Sequence, residues 1–162
     1  MSVIFIPTDF QVGFLHLIPA LSKAIDNAYA DIILGHLFKV KDYEQLYWKK
    51  NIEFKKIDPH FIKECESSFS VKNCLFVRHF AGSSIASLKF FFRINHVDLI
   101  LNPVDYSFRK ISKYSIGNPG RIIKRSGYPV HDIHTVSEPE CNDTSALLDS
   151  SLVWQDITIS NE

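Results

Sequence analysis

Short, mostly apolar runs alternate along this chain with segments of helical periodicity. The runs of strand length lie at residues 3–6, 32–38, 73–80 and 97–101. Segments in which apolar residues return every three or four positions lie between them, at 11–28, 58–69 and 84–96. A short run without a polar face is typical of a strand buried on both sides, as in a parallel sheet. The alternation therefore predicts an α/β fold: an open five-stranded parallel sheet with helices on both faces, whose fifth strand begins near Tyr128.

Two local signals concern the predicted helices. Asp58 followed by Pro59 is typical of a helix N-terminus, because the carboxylate accepts a free backbone N–H and proline fits the first helical position. Pro19 lies inside the segment 11–28, and we expect it to kink that helix, since it lacks an N–H and its ring meets the preceding turn. Residues 39–57 have no clear period, and we interpret them as irregular or partly helical.

Composition and charge argue against several classes of protein. The chain has 162 residues, 46% of them apolar, and its 18 basic and 18 acidic side chains give no net charge. This balance is typical of one globular domain and lacks the basic surplus of most nucleic-acid and anionic-membrane binders. No apolar run approaches the ~18–20 residues that cross a bilayer, and the N-terminus lacks the pattern of a secretory signal. We therefore expect a cytoplasmic protein without nucleic-acid or membrane partners.

The cysteines indicate neither a disulfide framework nor a metal site. Cys65, Cys74 and Cys141 are widely spaced, and no Cys-x-x-Cys pair occurs, so we interpret them as reduced thiols. His131 and His134 stand near Cys141, but the sequence offers no fourth ligand close by. We expect no metal.

The composition changes near the C-terminus. We expect a domain over residues 1–133 and an acidic extension over 134–162, in which 152–159 again has a strand-like pattern. Residues 138–162 carry six acidic side chains and no basic one, whereas residues 107–131 carry six basic side chains and no acidic one. Either the two stretches attract each other, within a chain or across a dimer, or they are independent solvated faces. Exposed ion pairs contribute only ~0–1 kcal/mol, so charge alone does not decide.

Four segments, in the right order, resemble the universal stress protein family. IFIPTDF (4–10) resembles that family's first strand and the loop after it, and DIILGHLF (31–38) its second strand. HVDLIL (96–101) resembles the fourth strand, and IIKRSGYPV (122–130) the helix and turn before the last strand. The resemblance covers residues 1–133 and implies a homodimer with a regulatory or binding role in the stress response. The 13 phenylalanines also favour a surface that meets a partner.

The resemblance also implies where a nucleotide would lie. Pro7, Thr8 and Asp9 follow the first strand, and in binding members the carboxylate equivalent to Asp9 contacts the adenosine. Leu37 and Phe38 stand at the strand end that usually lines the adenine pocket. Two other interpretations stay open, because Asp9 is also suited to cap the first helix and a strand-end phenylalanine is often plain core.

The phosphate-binding glycines of that family are altered here. Where binding members have Gly-x-x-Gly after the fourth strand, this chain has Asn102 and Asp105. Glycine lets successive backbone N–H groups approach phosphate oxygens, whereas a carboxylate repels each charge by ~1 kcal/mol at ~4 Å in water. Gly117 and Gly120 follow, displaced from the family's spacing, so either an insertion or deletion has shifted the phosphate-binding loop or that loop is absent, and we favour its absence. We therefore predict that the chain does not bind ATP in the usual manner of the family.

A basic loop over residues 102–125 leaves two interpretations open. Its cations are Arg109, Lys110, Lys113, Arg121, Lys124 and Arg125. In one interpretation, side chains such as Lys113 and Arg121, with Gly117 between them, replace the glycines for an anionic ligand. In the other, the cations form a solvated face.

The functional prediction is a regulatory or binding protein of the universal stress protein type that requires no cofactor. No G-x-S-x-G, Walker or G-x-G-x-x-G motif occurs, and no pattern places a nucleophile beside a base, so we predict no enzymatic activity. One alternative is an adenine-nucleotide binder for ATP or AMP that uses Asp9 and the basic loop. The other is a protein-interaction module whose acidic C-terminal segment docks a partner.

Overall fold

A five-stranded sheet organises the part of the chain that the computed structural model describes, residues 1–25, 29–39, 57–69, 73–81 and 84–135. The strands are β1 (Ser2–Pro7), β2 (Ala30–Phe38), β3 (Cys74–Ala81), β4 (Leu99–Pro103) and β5 (Val130–Ile133). The helices are α1 (Ile18–Ile25), α2 (Pro59–Ser68), α3 (Ile85–Ile94) and α4 (Pro119–Lys124), with a 3₁₀ helix (Val12–Leu17) before α1. The strand order is β3-β2-β1-β4-β5, and every neighbouring pair is parallel. The predicted α/β fold is confirmed.

The helices pack on both faces of the sheet. On one face, α1 and α2 bury Leu21 and Phe61 against β1 and β2. On the other face, α3 and α4 bury Phe92 and Ile123 beside Phe5 of β1, whose ring meets that of Phe92 edge-on at 5.0 Å. Each such side chain stabilises the fold by ~1.5–3 kcal/mol when it leaves water. The two apolar clusters hold the strand ends, and hence the loops beyond them, in fixed positions.

The structure shows the position of both sequence signals, Asp58-Pro59 and Pro19, in the helices. The carboxylate of Asp58 accepts the N–H of His60 at 2.9 Å, and Pro59 opens α2, as predicted. The expectation of one helix kinked at Pro19 is corrected, because the chain forms a 3₁₀ helix that ends at Leu17 and α1 then begins at Ile18. Pro19 therefore lies in the first turn of α1, where its missing N–H costs no hydrogen bond.

Some predictions concern residues outside the described ranges. These are most of the segment 39–57, Cys141 and the strand-like pattern at 152–159. Within the described ranges, no helix combines the length and the apolar character needed to span a membrane.

Two cysteines can be described. Cys65 is buried and Cys74 is exposed, and both are free thiols. Burial, together with the nearby charges of Glu64 and Glu66, raises the pKa of Cys65 to about 12. Among the residues that the structure covers, no group of three His, Cys, Asp or Glu side chains is arranged to hold a metal ion.

Candidate functional site

The candidate site lies where β1 and β4 adjoin in the middle of the sheet. From β1 the chain crosses to β2 on one side, whereas from β4 it crosses to β5 on the other. In an open parallel sheet, ligands bind beyond the C-terminal ends of the strands at such a point of reversal. The loops after β1 and after β4 are therefore the segments that shape the site.

The carboxylate of Asp9, in the loop after β1, is buried and hydrogen-bonded on both oxygens. Oδ1 accepts the N–H of Gln11 at 3.1 Å, and Oδ2 accepts the N–H of Arg109 at 2.7 Å. The hydroxyl of Tyr106 donates to the same carboxylate, 3.0 Å from Oδ1 and 2.9 Å from Oδ2. Burial and this hydrogen bond raise the pKa of Tyr106, so the phenol keeps its proton. Asp9 is 1% exposed, and the chain itself supplies its donors.

A tight turn after Pro7 fixes Asp9 in place. The hydroxyl oxygen of Thr8 accepts the N–H of Phe10 at 3.1 Å, and the N–H of Thr8 donates to the carbonyl of Gly35 at 2.9 Å. Phe10 adopts a left-handed backbone with φ 55°, which costs a non-glycine residue about 1–2 kcal/mol. Its buried ring offsets this cost by packing against neighbouring aromatic rings.

The end of β2 is covered by residues 114–116 of the loop after β4. The N–H of Ile116 donates to the carbonyl of Leu37 at 3.0 Å, and Phe38 forms an antiparallel bridge with Ser115. Leu37 and Phe38 are 3% and 0% exposed. Both side chains are thus part of the core in this conformation.

A buried polar network holds this covering segment. Nε2 of His36 lies 2.9 Å from Oγ of Ser115, and Nδ1 of His36 lies 3.1 Å from Nδ1 of His79. Because Oγ of Ser115 already accepts the N–H groups of Ile111 and Ser112, its proton is directed to Nε2 of His36. Burial, with the nearby His79, lowers the pKa of His36 to about 4, and burial lowers that of His79.

Serine beside histidine is the arrangement of a nucleophile and its base, but here it serves to anchor the loop. Ser115 is 7% exposed, and its oxygen is engaged by two backbone N–H groups. A histidine whose pKa lies near 4 is also a weak base at neutral pH. The network therefore ties residues 111–116 to β2, 79 residues away in sequence.

A cavity of about 560 Å³ opens beyond the end of β4. The lining combines apolar side chains of the loop after β4, here called the apolar wall, with polar side chains at the end of β4 and at α4, here called the polar wall. The side chains concerned are Val104, Tyr106 and Phe108 on the apolar wall, and Asn102, Asn118, Arg121 and Lys124 on the polar wall. No acidic side chain is among the described residues that line it. Its volume falls in the range of ~300–1,000 Å³ that small-molecule sites occupy.

Gly120 brings α4 close to the end of β4. A Cβ at this position would lie 3.0 Å from Oδ1 of Asn102. The amide of Asn102 donates to Asp132 at 2.8 Å, and the other oxygen of Asp132 accepts from Lys124 at 2.7 Å. The hydrogen bonds from Lys124 and Asn102 lower the pKa of Asp132. The charge of Lys124 is therefore compensated, whereas Arg121 forms no ion pair with any residue in the described ranges.

The structure brings together only part of the predicted site. Asn102, Gly117 and Arg121 line the cavity. Asp105 instead accepts the N–H of Thr135 at 3.2 Å, and Lys113 is exposed, with its ammonium 4.9 Å from the ring of Tyr114. The remaining predicted residues, Pro7, Thr8, Asp9, Leu37 and Phe38, are buried outside this cavity.

Sequence reasoning did not single out Tyr106 or Phe108. Their rings pack edge-on, with centroids 5.0 Å apart, and form the aromatic part of the apolar wall. Both stand in a loop without periodicity, so the residue types alone carried no signal. Only the position of the loop beyond the centre of the sheet could have pointed to them.

Comparison with known proteins identifies the fold. No family model matches the chain, and no curated protein matches it in sequence. The crystal structure of a hypothetical protein, PH0823, matches with 18% identity and a TM-score of 0.53, over 86% of this chain and 99% of that one. A universal stress protein crystallised in complex with cAMP matches with 14% identity and a TM-score of 0.51, over 83% of this chain and 97% of that one. The chain has the universal stress protein-like fold that its sequence motifs predict.

Proposed function

We propose that this protein is a non-enzymatic regulatory protein of the universal stress protein type that binds an anionic small molecule in the cavity beyond β4. The proposal depends on a difference between two neighbouring sites, the carboxylate of Asp9 and the cavity. The carboxylate of Asp9 is already hydrogen-bonded by Tyr106 and by the backbone of Arg109, whereas the cavity presents Arg121. Binding there would differ from the usual manner of the family, as the sequence predicts.

The walls of the cavity favour a ligand with a flat ring and an anionic group. Tyr106 and Phe108 offer aromatic surface, on which a base packs favourably. Arg121 offers a guanidinium whose fork of donors matches a phosphate, and Asn118 adds an amide. The solved neighbour in complex with cAMP supports an adenine nucleotide as the first probe. AMP is therefore the compound to test first.

Titration calorimetry with matched charge variants tests the proposal. AMP, ATP, cAMP and inorganic phosphate are titrated into the wild type, Arg121→Glu and Arg125→Glu. Reversing Arg121 replaces attraction by repulsion, so we expect at least a tenfold loss of AMP affinity, or about 1.4 kcal/mol. Arg125 is exposed at the end of α4 and does not line the cavity, so its reversal should change the affinity little. Equal losses in both variants, or no binding of any probe to the wild type, would overturn the proposal.

A second candidate is an adenine-nucleotide binder that uses Asp9 in the usual manner of the family. The cAMP complex of the solved neighbour supports an adenine nucleotide as ligand, and the use of Asp9 is what the sequence resemblance implies. It requires that Tyr106 leave Asp9, because the phenol occupies the carboxylate. Tyr106→Phe keeps the aromatic wall and frees the carboxylate. A rise in AMP affinity in this variant would support the second candidate, whereas a change of less than about threefold would support the cavity.

A protein partner, including a second copy of the chain, is a third proposal. Phe90 and Ile94 are each 55% exposed, and their spacing of four residues places them on one side of α3. Apolar side chains in this arrangement suit a protein contact. Light scattering at micromolar concentration should give a dimer for the wild type and a smaller species for the double variant Phe90→Ser/Ile94→Ser. A wild-type monomer would contradict the predicted homodimer.

A further inference from the structure

We infer that the acidic C-terminal segment, residues 136–162, docks on the polar wall of the cavity in its own chain and competes there with the ligand. The competition rests on the proposed function, whereas the docking does not.

The described chain ends beside the cavity. After β5, the N–H of Thr135 donates to Oδ2 of Asp105 at 3.2 Å, and Nδ1 of His134 lies 3.3 Å from the same oxygen. Asp105 stands between Val104 and Tyr106, both of which line the cavity. The last described residue, Thr135, is therefore held at the loop that forms the apolar wall.

Charge complementarity favours the acidic segment, residues 136–162, as the occupant of the polar wall. The acidic residues of the segment are Glu138, Glu140, Asp143, Asp149, Asp156 and Glu162, and it contains no Lys or Arg. The described lining of the cavity contains Arg121 and Lys124 and no carboxylate. Lys110 lies near the rim, since its Cε would be 3.4 Å from a Cβ at Gly117. An acidic segment thus finds the guanidinium of Arg121 in the described wall and the ammonium of Lys110 near its rim, whereas the charge of Lys124 is already compensated by Asp132.

Covalent attachment compensates for the weakness of the individual contacts. An exposed ion pair contributes only ~0–1 kcal/mol, so a separate acidic peptide would bind poorly. The 27 residues from 136 to 162 can extend by up to ~90 Å, which exceeds any distance across the cavity. A tether of this kind gives an effective concentration of the order of millimolar. Weak contacts therefore suffice to keep the segment on the wall.

The docking is tested by zero-length carbodiimide cross-linking of the full chain, followed by mass spectrometry. We expect amide bonds between carboxylates of residues 138–162 and Lys110 or Lys124, with yields that fall at high salt because exposed charges are screened. A mixture of ¹⁵N-labelled and unlabelled protein locates the partner. Cross-links within one isotopic form support the inference. Cross-links between the two forms, or none from the segment to these lysines, overturn it.

Competition is tested with a full-length variant in which the six acidic residues become amides. Its control is Glu64→Gln/Glu66→Gln, which removes two exposed carboxylates of α2, away from the cavity. We expect the neutral segment to raise AMP affinity about three- to tenfold and the control to leave it unchanged. Cross-links without AMP binding would leave the docking standing and overturn the proposed function. AMP binding without cross-links would overturn the docking and leave the proposed function standing.

Discussion

The hydroxyl of Tyr106 lies within 3.0 Å of both carboxylate oxygens of Asp9, 97 residues earlier in the chain. The loop after β4 therefore folds back over the turn after β1 and satisfies its buried charge. The same Tyr106 lines the cavity beyond β4, so one side chain both covers the carboxylate and shapes the neighbouring space.

Tyr106→Phe should destabilise the fold. A hydrogen bond to a buried charged group contributes about 1.5–3 kcal/mol, and the variant removes that donor while it keeps the ring. Urea unfolding measures the loss in the free energy of unfolding. Tyr128→Phe is the control, because its hydroxyl makes an exposed contact of 3.4 Å with the carbonyl of Lys89. Equal stability losses in the two variants would contradict the importance of the bond to Asp9.

Stability should fall as the pH drops below about 6.5, because His36 is held neutral in the folded protein. The unfolded chain takes up a proton near pH 6.5, whereas the folded chain does so near 4. Between these values, His36 alone lowers the free energy of unfolding by ~1.4 kcal/mol per pH unit, and above 6.5 its contribution is complete. The lowered pKa of His79 acts in the same direction.

Urea unfolding of the wild type between pH 7.5 and 4.5 measures this slope. His36→Asn should flatten it, and the control His16→Gln removes an exposed histidine outside the network. Wild-type stability that is constant or rises as the pH falls from 6.5 to 5 would contradict the buried neutral pair.

Gly35→Ala should destabilise the centre of the sheet. A Cβ at this position of β2 would overlap the ring of Phe5, which is fully buried between Phe91 and Phe92. Overpacking of this kind costs about 1–3 kcal/mol. In the control Gly13→Ala, the added Cβ would lie 3.7 Å from the hydroxyl of Tyr106, an ordinary contact. The melting temperature should fall in the first variant alone.

Gly120→Ala should disturb the polar wall of the cavity. The new Cβ would press on the amide of Asn102, which cannot retreat freely because it donates to Asp132. We expect AMP affinity to fall by ~1 kcal/mol in titration calorimetry. Gly13→Ala is the control, since Gly13 does not line the cavity and its Cβ would make only an ordinary contact of 3.7 Å with the hydroxyl of Tyr106. A loss of affinity in the control and not in Gly120→Ala would contradict the geometry of the wall.

The sequence predicted the framework because its signals are local. The apolar runs that became β1 and β2 have few polar positions, and Asp58-Pro59 carries its own start signal for α2. The prediction of one helix kinked at Pro19 was wrong because a 3₁₀ helix and an α-helix repeat apolar residues at similar spacings. The spacing of apolar residues therefore does not distinguish a 3₁₀ helix from an α-helix.

The candidate site was only partly predictable because its contacts join distant residues. Asn102 lies near the end of β4, at a position of the family's glycine motif, whereas Gly117 was singled out as a displaced glycine and Arg121, in α4, as a cation of the basic loop. The pairs Asp9–Tyr106 and His36–Ser115 arise only when the loop after β4 folds across the sheet. No local pattern specifies that path.

The account is tested most directly by titrating AMP into the ¹⁵N-labelled full chain while amide chemical shifts are recorded. The account predicts saturable shifts at Asn102, Gly117 and Arg121, with the amides of Asp9 and Leu37 unmoved. Shifts at Asp9 and Leu37 without a change at Arg121 would show that the ligand binds at the covered carboxylate and would contradict the account.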